Sequence, residues 1–238
     1  MFTVALIGPD GSGKSTIGRK LEQISPLPAK YVYMGVNLDS SNLVFPTTRL
    51  FLEAKRARGR RPDITVPRDR YRARNQPSRF KRYTASLRAV LRLANLLTEE
   101  WFRQLIVWYY EFRGYYVILD RHFYFDYYVH DIANENPNRP LNSRIHGFML
   151  RKLYPKPDFV IFLDAPADVL FARKPEGTLE ARERRRQEYV GLREGVKNYI
   201  VVDVSRSEEE VLGEISEQIM KFHYIKNKKS YEVHSASD

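Results

Sequence analysis

The chain has 238 residues, 43% of them hydrophobic and 29% charged, with no cysteine and a formal net charge of +11. That is enough apolar material for a large core and excludes low-complexity disorder over most of the length. The lack of cysteine excludes a disulfide framework, a thiol nucleophile and a cysteine-based zinc site, and the positive excess points to an anionic partner: nucleotide, nucleic acid, a sulfated or phosphorylated small molecule, or a membrane surface.

The predicted elements follow in chain order. Residues 3–7 (TVALI) are apolar without alternation, which predicts a short strand buried on both faces. A helix is predicted over 13–24, opening at a glycine-rich turn, and a second strand over 31–34 (YVYM). Apolar residues at helical spacing predict a helix over 99–113, stopped at Gly114. Residues 115–119 (YYVIL), 158–163 (DFVIFL) and 199–204 (YIVVDV) read as strands three to five, with helices at 167–173, 178–190 and 207–222. Short apolar strands alternating with helices predict an α/β fold, a five-stranded parallel sheet with helices on both faces. Ligands of such sheets bind at the C-terminal ends of the strands.

Two segments break this pattern. Residues 49–92 hold fifteen Lys or Arg and only three acids (Glu53, Asp63, Asp69), a net +12 that accounts for the whole excess. Residues 224–238 are polar, lack periodicity and read as a frayed tail. The organisation expected is therefore one domain over 1–223 and a flexible tail over 224–238. Within that domain lie a core (1–35 and 95–223), a basic helical insert (36–94) and a lid (about 173–189). No window approaches the ~18 uncharged apolar residues of a membrane-spanning helix. The apolar start lacks a basic lead-in, so no signal peptide is expected and the cytoplasm is the default location.

Gly8-Pro9-Asp10-Gly11-Ser12-Gly13-Lys14-Ser15 matches G-x-x-x-x-G-K-[ST], after a strand and opening a helix. Its glycines let consecutive N–H groups curl toward phosphate oxygens, and the helix N-terminus adds partial positive charge. The motif implies Lys14 on the β- and γ-phosphates and the Ser15 hydroxyl on magnesium; the plainer alternative is a tight turn with a solvated lysine. Asp120-Arg121 closes the third strand, where the carboxylate can hold magnesium through water and the arginine can grip a phosphate. A surface ion pair is the alternative there. Arg173, Lys174, Arg182, Arg184, Arg185 and Arg186 are six cations within fourteen residues. Cations closing over a moving phosphoryl group lower its barrier, although Glu180, Glu183 and Glu188 could pair with them on a solvated helix face. The aromatics of 122–128 (HFYFDYY) suit either base stacking or core packing. His122, His130 and His146 show no metal-ligand spacing, and no hydrolase motif stands out.

GPDGSGKST at 8–16, GYYVILDRH at 114–122, PDFVIFLDAP at 157–166, ARKPEG at 172–177 and VVDVS at 201–205 together resemble the thymidylate-kinase-like branch of the P-loop nucleoside-monophosphate kinases. The resemblance covers roughly residues 1–35 and 95–222 and implies the P-loop NTPase fold, with ATP and magnesium as cofactors. By the same resemblance the cofactor lies on Gly8, Asp10, Gly11, Ser12, Gly13, Lys14, Ser15 and Thr16, with adenine near Asp203 and Ser205. Asp10 positions the acceptor, Arg121 contacts its phosphate, and Ser15 and Asp120 serve the metal. Because the loop residue is Gly11, catalytic cations come from the lid, with Arg173, Lys174 and Arg182 the candidates beside Lys14. Two places depart from the family pattern. YMGVNLDSS (33–41) stands where an R-E-P-G segment is usual, and Glu99, with Arg103 one turn on, stands near the base-reading arginine. The acceptor pocket therefore differs from that of a thymidylate kinase.

Three functions follow. The first is a kinase acting on a nucleoside monophosphate or a related phosphorylated or sugar-like small molecule. The second is a polynucleotide 5′-kinase whose strand lies along 49–92, with Tyr71, Phe80 and Tyr83 for stacking. The third is a non-catalytic nucleotide switch that docks the basic insert on an anionic membrane or an acidic partner. The aromatic stretch 101–112 (WFRQLIVWYYEF) offers either core packing or the face of a homodimer.

Overall fold

The computed structural model describes residues 1–35, 43–59, 79–133 and 139–235, and only the backbone of 51, 79–88, 129–130, 194–195 and 229–235. Five strands form one parallel sheet in the order β2-β3-β1-β4-β5. They are β1 (Thr3–Ile7), β2 (Ala29–Tyr33), β3 (Tyr116–Asp120), β4 (Phe159–Asp164) and β5 (Tyr199–Asp203). β1 is central, and its Leu6 stands level with Asp120 of β3 and Ile161 of β4. Every residue of β1 and β3 is buried, as is all of β4 except Asp164. Burial on both faces is why these strands read as unbroken apolar runs. Each buried Val, Leu, Ile or Phe contributes about 1.5–3 kcal/mol.

The helices are α1 (Lys14–Ile24), α2 (Pro46–Ala57), α3 (Arg79–Phe112), α4 (Phe123–Asp126), α5 (Leu141–Lys152), α6 (Ala167–Arg173), α7 (Leu179–Gly191) and α8 (Glu208–Ser235). On one side of the sheet Ile17 and Leu21 of α1 and Val211, Ile215 and Ile219 of α8 join Val4, Leu6, Ile118, Ile161 and Leu163 in a continuous core. Among the described residues no helix is long and apolar enough to cross a membrane.

All five predicted strands are found within about two residues of their expected bounds. Among the described residues α4 and α5 were not expected, whereas α2 falls within the expected helical insert. Another, α3, begins at Arg79, far upstream of the predicted start at 99. Dense arginine obscures apolar periodicity there, and helices tolerate arginine well. The tail expectation is corrected over 224–235, because α8 runs to Ser235. Phe222 stacks on Phe159 at 4.9 Å, and Lys226 donates to Asp158 Oδ1 (2.8 Å) and to the Met1 carbonyl (3.1 Å). Those anchors tie a polar stretch to the body. Of the basic insert, α2 is helical, while 36–42 and 60–78, with Arg60, Arg61, Arg68, Arg70, Tyr71, Arg72 and Arg74, lie outside the described residues.

The chain divides into two compact units. One comprises Met1–Val32, Tyr110–Arg121 and Pro157–Asp238; the other Tyr33–Tyr109 and His122–Lys156. The sequence reading drew a different line, with one domain and an insert at 36–94.

The second unit carries a buried polar cluster. Arg103 and Glu99 are fully buried and paired on successive turns of α3, and Glu99 Oε1 also accepts from the Phe45 N–H at 3.0 Å. Arg103 Nε and Nη2 have no protein partner among the described residues. Beside them His146 of α5 sits between Glu100 Oε1 (2.8 Å) and Asp131 Oδ2 (2.6 Å). Burial works to lower the His146 pKa, but the two carboxylates overcome it and raise it to about 9. The folded value lies above the unfolded value near 6.5, so the stability that His146 contributes is full below pH 6.5 and is lost as pH rises through about 9. The expected result is a melting temperature that falls more steeply between pH 6.5 and 9.5 in the native chain than in His146→Gln, checked by thermal melts across that range. Parallel profiles would assign the histidine no net role.

The aromatics of 122–127 are core. His122, Phe123, Tyr124, Phe125 and Tyr127 are all buried, and burial pushes the His122 pKa down to about 3. His122 Nδ1 accepts from the Tyr124 N–H at 3.2 Å, capping α4. The 101–112 stretch divides by face: Arg103, Gln104 and Val107 are buried, whereas Leu105, Trp108, Tyr109 and Phe112 are exposed.

Candidate functional site

The first unit gathers several of the residues singled out in the sequence around the turn between β1 and α1. Gly8, Gly11 and Gly13 have φ of 151°, 92° and 81°, the region open to glycine. A Cβ on Gly11 would lie 2.4 Å from the Leu170 carbonyl oxygen, and one on Gly8 would lie 2.6 Å from that of Leu163. The loop is thus pressed between the end of β4 and α6, and larger residues do not fit. α1 opens at Lys14 with Gly13 as its N-cap and no side-chain cap. Its first N–H groups are therefore left to water or to a bound anion.

Lys14 is buried and turns back over the loop. Its Nζ donates to the Gly8 and Pro9 carbonyls, both at 2.8 Å, and to Ser12 Oγ at 3.2 Å. An ammonium placed this way holds the loop's curl while its charge faces the loop interior. Ser15 and Thr16, the next two residues of the helix, are exposed.

Asp120 ends β3 one strand away and is fully buried. Its Oδ2 accepts from Ser15 Oγ at 2.5 Å and from the Tyr31 hydroxyl at 2.6 Å. Its Oδ1 is buried with no hydrogen-bond partner among the described residues. A buried carboxylate oxygen without a donor is costly, which marks it as a place built for something further. Arg121 follows with φ 74°, a backbone cost of about 1–3 kcal/mol for a residue with a Cβ. Its N–H donates to the Leu6 carbonyl at 3.1 Å, and its Nη2 reaches Asp10 Oδ1 at 2.6 Å. Burial works to raise the Asp10 pKa, but Arg121, Lys14 and Lys174 hold it well below the usual carboxylate range. Asp10 therefore stays ionised through neutral pH and keeps the arginine aimed at the loop.

The cations of 173–186 fall into separate roles. Arg182 is buried and donates to the carbonyls of Asp10, Lys174 and Glu176, so it clasps the glycine loop to the segment leading into α7. Its guanidinium also lies over the Phe171 ring at 5.6 Å. Arg186 makes two parallel bonds to Asp164, at 2.7 and 2.9 Å, and Arg185 pairs with Glu188 at 2.8 Å. Those two answer to the structural reading of the segment, with acids satisfying arginines. Arg173, Lys174 and Arg184 are exposed. At the end of β5, Ser205 donates through N–H and Oγ to Asp203 Oδ1 at 2.8 and 2.6 Å, a local turn on the surface. These bonds, Ser205 first among the causes, lower the Asp203 pKa.

No protein-family model matches the chain, and no curated protein matches it. The structure brings Asp10, Gly11, Lys14, Ser15, Asp120, Arg121 and Arg182 into one connected group. It places Asp203 and Ser205 on the same C-terminal edge of the sheet, where Asp203 stands level with Asp164. Sequence reading missed Tyr31, which lay inside a predicted strand with no motif around it. It also missed Asp164 as the anchor of Arg186, although the acid at the end of an apolar strand was visible.

Proposed function

We propose that the chain is an ATP- and magnesium-dependent phosphotransferase on a P-loop NTPase fold. Its acceptor is a nucleoside monophosphate or a related small phosphorylated or sugar-like molecule. The observation that carries this reading is the convergence of Lys14, Ser15 and Asp120: a buried ammonium on the glycine loop beside a hydroxyl that contacts a half-satisfied buried carboxylate. Main-chain N–H groups over 8–16 and the α1 N-terminus suit the phosphates of ATP. Ser15 and Asp120 suit magnesium, which binds through one or two carboxylates and leaves its other positions to phosphates and water. The unpartnered Asp120 Oδ1 is the fit. Magnesium, when bound, supplies charge neutralisation on the phosphates.

The side chains then act by position and charge. Lys14 supports the negative charge of the transferring group. Ionised Asp10 orients Arg121, whose guanidinium has the charge and planar shape to suit an anionic acceptor. Arg182 holds the loop against α7 and lies 3.4 Å from where a Gly11 Cβ would stand. Arg173 and Lys174 are exposed and suit closing over a bound nucleotide. The resemblance in the sequence motifs supports the same assignment, with Asp203 and Ser205 toward the adenine.

The test is magnesium-dependent ATP consumption across nucleoside monophosphates, nucleosides, sugar phosphates and 5′-hydroxyl oligonucleotides. The expected result is turnover that depends on a small phosphorylated or sugar-like acceptor. Turnover only with oligonucleotides would replace this reading with a polynucleotide kinase. ATP binding with no acceptor-dependent turnover would replace it with a nucleotide switch.

A further inference from the structure

Tyr31 lies in β2 and has no place in the motifs of the loop, yet its hydroxyl ends on the carboxylate at the centre of the site. We infer that Tyr31 is a positioning residue that fixes the orientation of Asp120, so that Oδ1 is the oxygen presented to a magnesium ion. This rests on the phosphotransferase reading above and adds to it a residue on another strand.

The two oxygens of Asp120 are treated unequally. Oδ2 takes both donors, Ser15 at 2.5 Å and Tyr31 at 2.6 Å, and Oδ1 takes none among the described residues. A carboxylate held by one donor can swing about its side-chain torsion, which is broad for Asp. Two donors from different elements set its plane. Ser15 is an exposed residue of the first helical turn, with a hydroxyl that rotates freely between partners. The Tyr31 ring is not free in that way. It crosses α1 directly over Gly18, where a Cβ would lie 2.8 Å from both Cδ2 and Cε2 of the ring. The Arg19 guanidinium sits over the same ring at 5.3 Å. Glycine inside a helix costs about 1 kcal/mol relative to alanine. Helix α1 thus gives up stability at a position where a Cβ would collide with the ring. A phenylalanine would fill the same space, so packing alone does not call for the hydroxyl. A tyrosine phenol is an O–H donor at neutral pH, and here it donates to Asp120.

The arrangement has the form of an outer-shell bond that orients a metal-facing ligand, and loss of such bonds typically weakens metal binding about 10–100-fold. The experiment compares the native chain with Tyr31→Phe and Gly18→Ala. Each is saturated with a non-hydrolysable ATP analogue, and Mn2+ binding is read by electron paramagnetic resonance. Analogue binding in EDTA and the melting temperature are measured alongside. Tyr31→Phe is expected to weaken Mn2+ binding about tenfold or more, with analogue binding in EDTA within about twofold of native and an unchanged melt. Gly18→Ala, which keeps the hydroxyl but displaces the ring, is expected to weaken Mn2+ binding in the same direction. Mn2+ affinity in Tyr31→Phe within about twofold of native would overturn the inference, while intact analogue binding left the phosphotransferase reading standing. A native chain that binds neither the analogue nor Mn2+ with it would overturn both.

Discussion

If the chain is the phosphotransferase proposed above, replacing Lys14 with alanine is expected to lower acceptor-dependent ATP turnover by about 10²–10³-fold or more in kcat. Two losses act together. The first is a fixed positive charge beside the phosphates, which is worth most where water is excluded. The second is the internal strut of the loop, since Lys14 Nζ bonds the Gly8 and Pro9 carbonyls and the Ser12 hydroxyl. Gly8 and Gly11 are held at positive φ against Leu163 and Leu170, and Arg182 bonds the Asp10 carbonyl between them, but only Lys14 ties the loop from its inner side to three of its residues. The substitution therefore raises KM for ATP as well as lowering kcat, because ground-state and transferring phosphates both lose the contact. Steady-state kinetics with circular dichroism to confirm folding provide the check. A variant that keeps a tenth of native kcat would remove Lys14 from the chemistry.

Replacing Glu99 with alanine lowers the melting temperature by about 10 °C or more, through about 3–5 kcal/mol of lost stability. Both members of the Glu99–Arg103 pair are fully buried, so the change leaves a guanidinium in the interior without a counter-charge. It also strips the Phe45 N–H of its acceptor. Arg103 already has two nitrogens without protein partners among the described residues, and the change leaves it only the backbone carbonyl of residue 99, at 3.3 Å, of the acceptors it bonds there. The double change Glu99→Leu with Arg103→Met is expected to recover most of the loss, because a buried ion pair exchanged for apolar groups of similar volume is close to neutral. Thermal melts of the three chains decide the matter. An equal loss in the single and double variants would locate the cost in packing instead of charge.

The same pair shows where reading by position stops. By the family resemblance, Glu99 stood near the place of a base-reading arginine, with Arg103 one turn on, and marked an altered acceptor pocket. In the fold they answer each other first, because two charges removed from water find the nearest opposite partner, here one helical turn away. The arginines of 173–186 make the same point. Sequence placed six cations in a row and left each of them open. The fold buries Arg182 under three carbonyls, commits Arg186 to Asp164 and leaves Arg173 outside.

What the sequence by itself determined is whatever depends on neighbours in the chain. A strand buried on both faces is apolar at nearly every position, so β1, β3 and β4 were legible from short windows, while the less buried β2 and β5 showed through their Tyr, Val and Ile. A tight phosphate-type turn needs glycine where φ is positive, so Gly8, Gly11 and Gly13 announced the loop beside Lys14 and Ser15. What only the tertiary structure decided is whatever joins distant segments. Tyr31 meets Asp120 across 89 positions, Arg182 meets Asp10 across 172, and Lys226 meets Asp158 across 68. No local period encodes such contacts. They arise because parallel strands need long crossovers, which bring remote residues to the same edge of the sheet, where their charges and donors find one another.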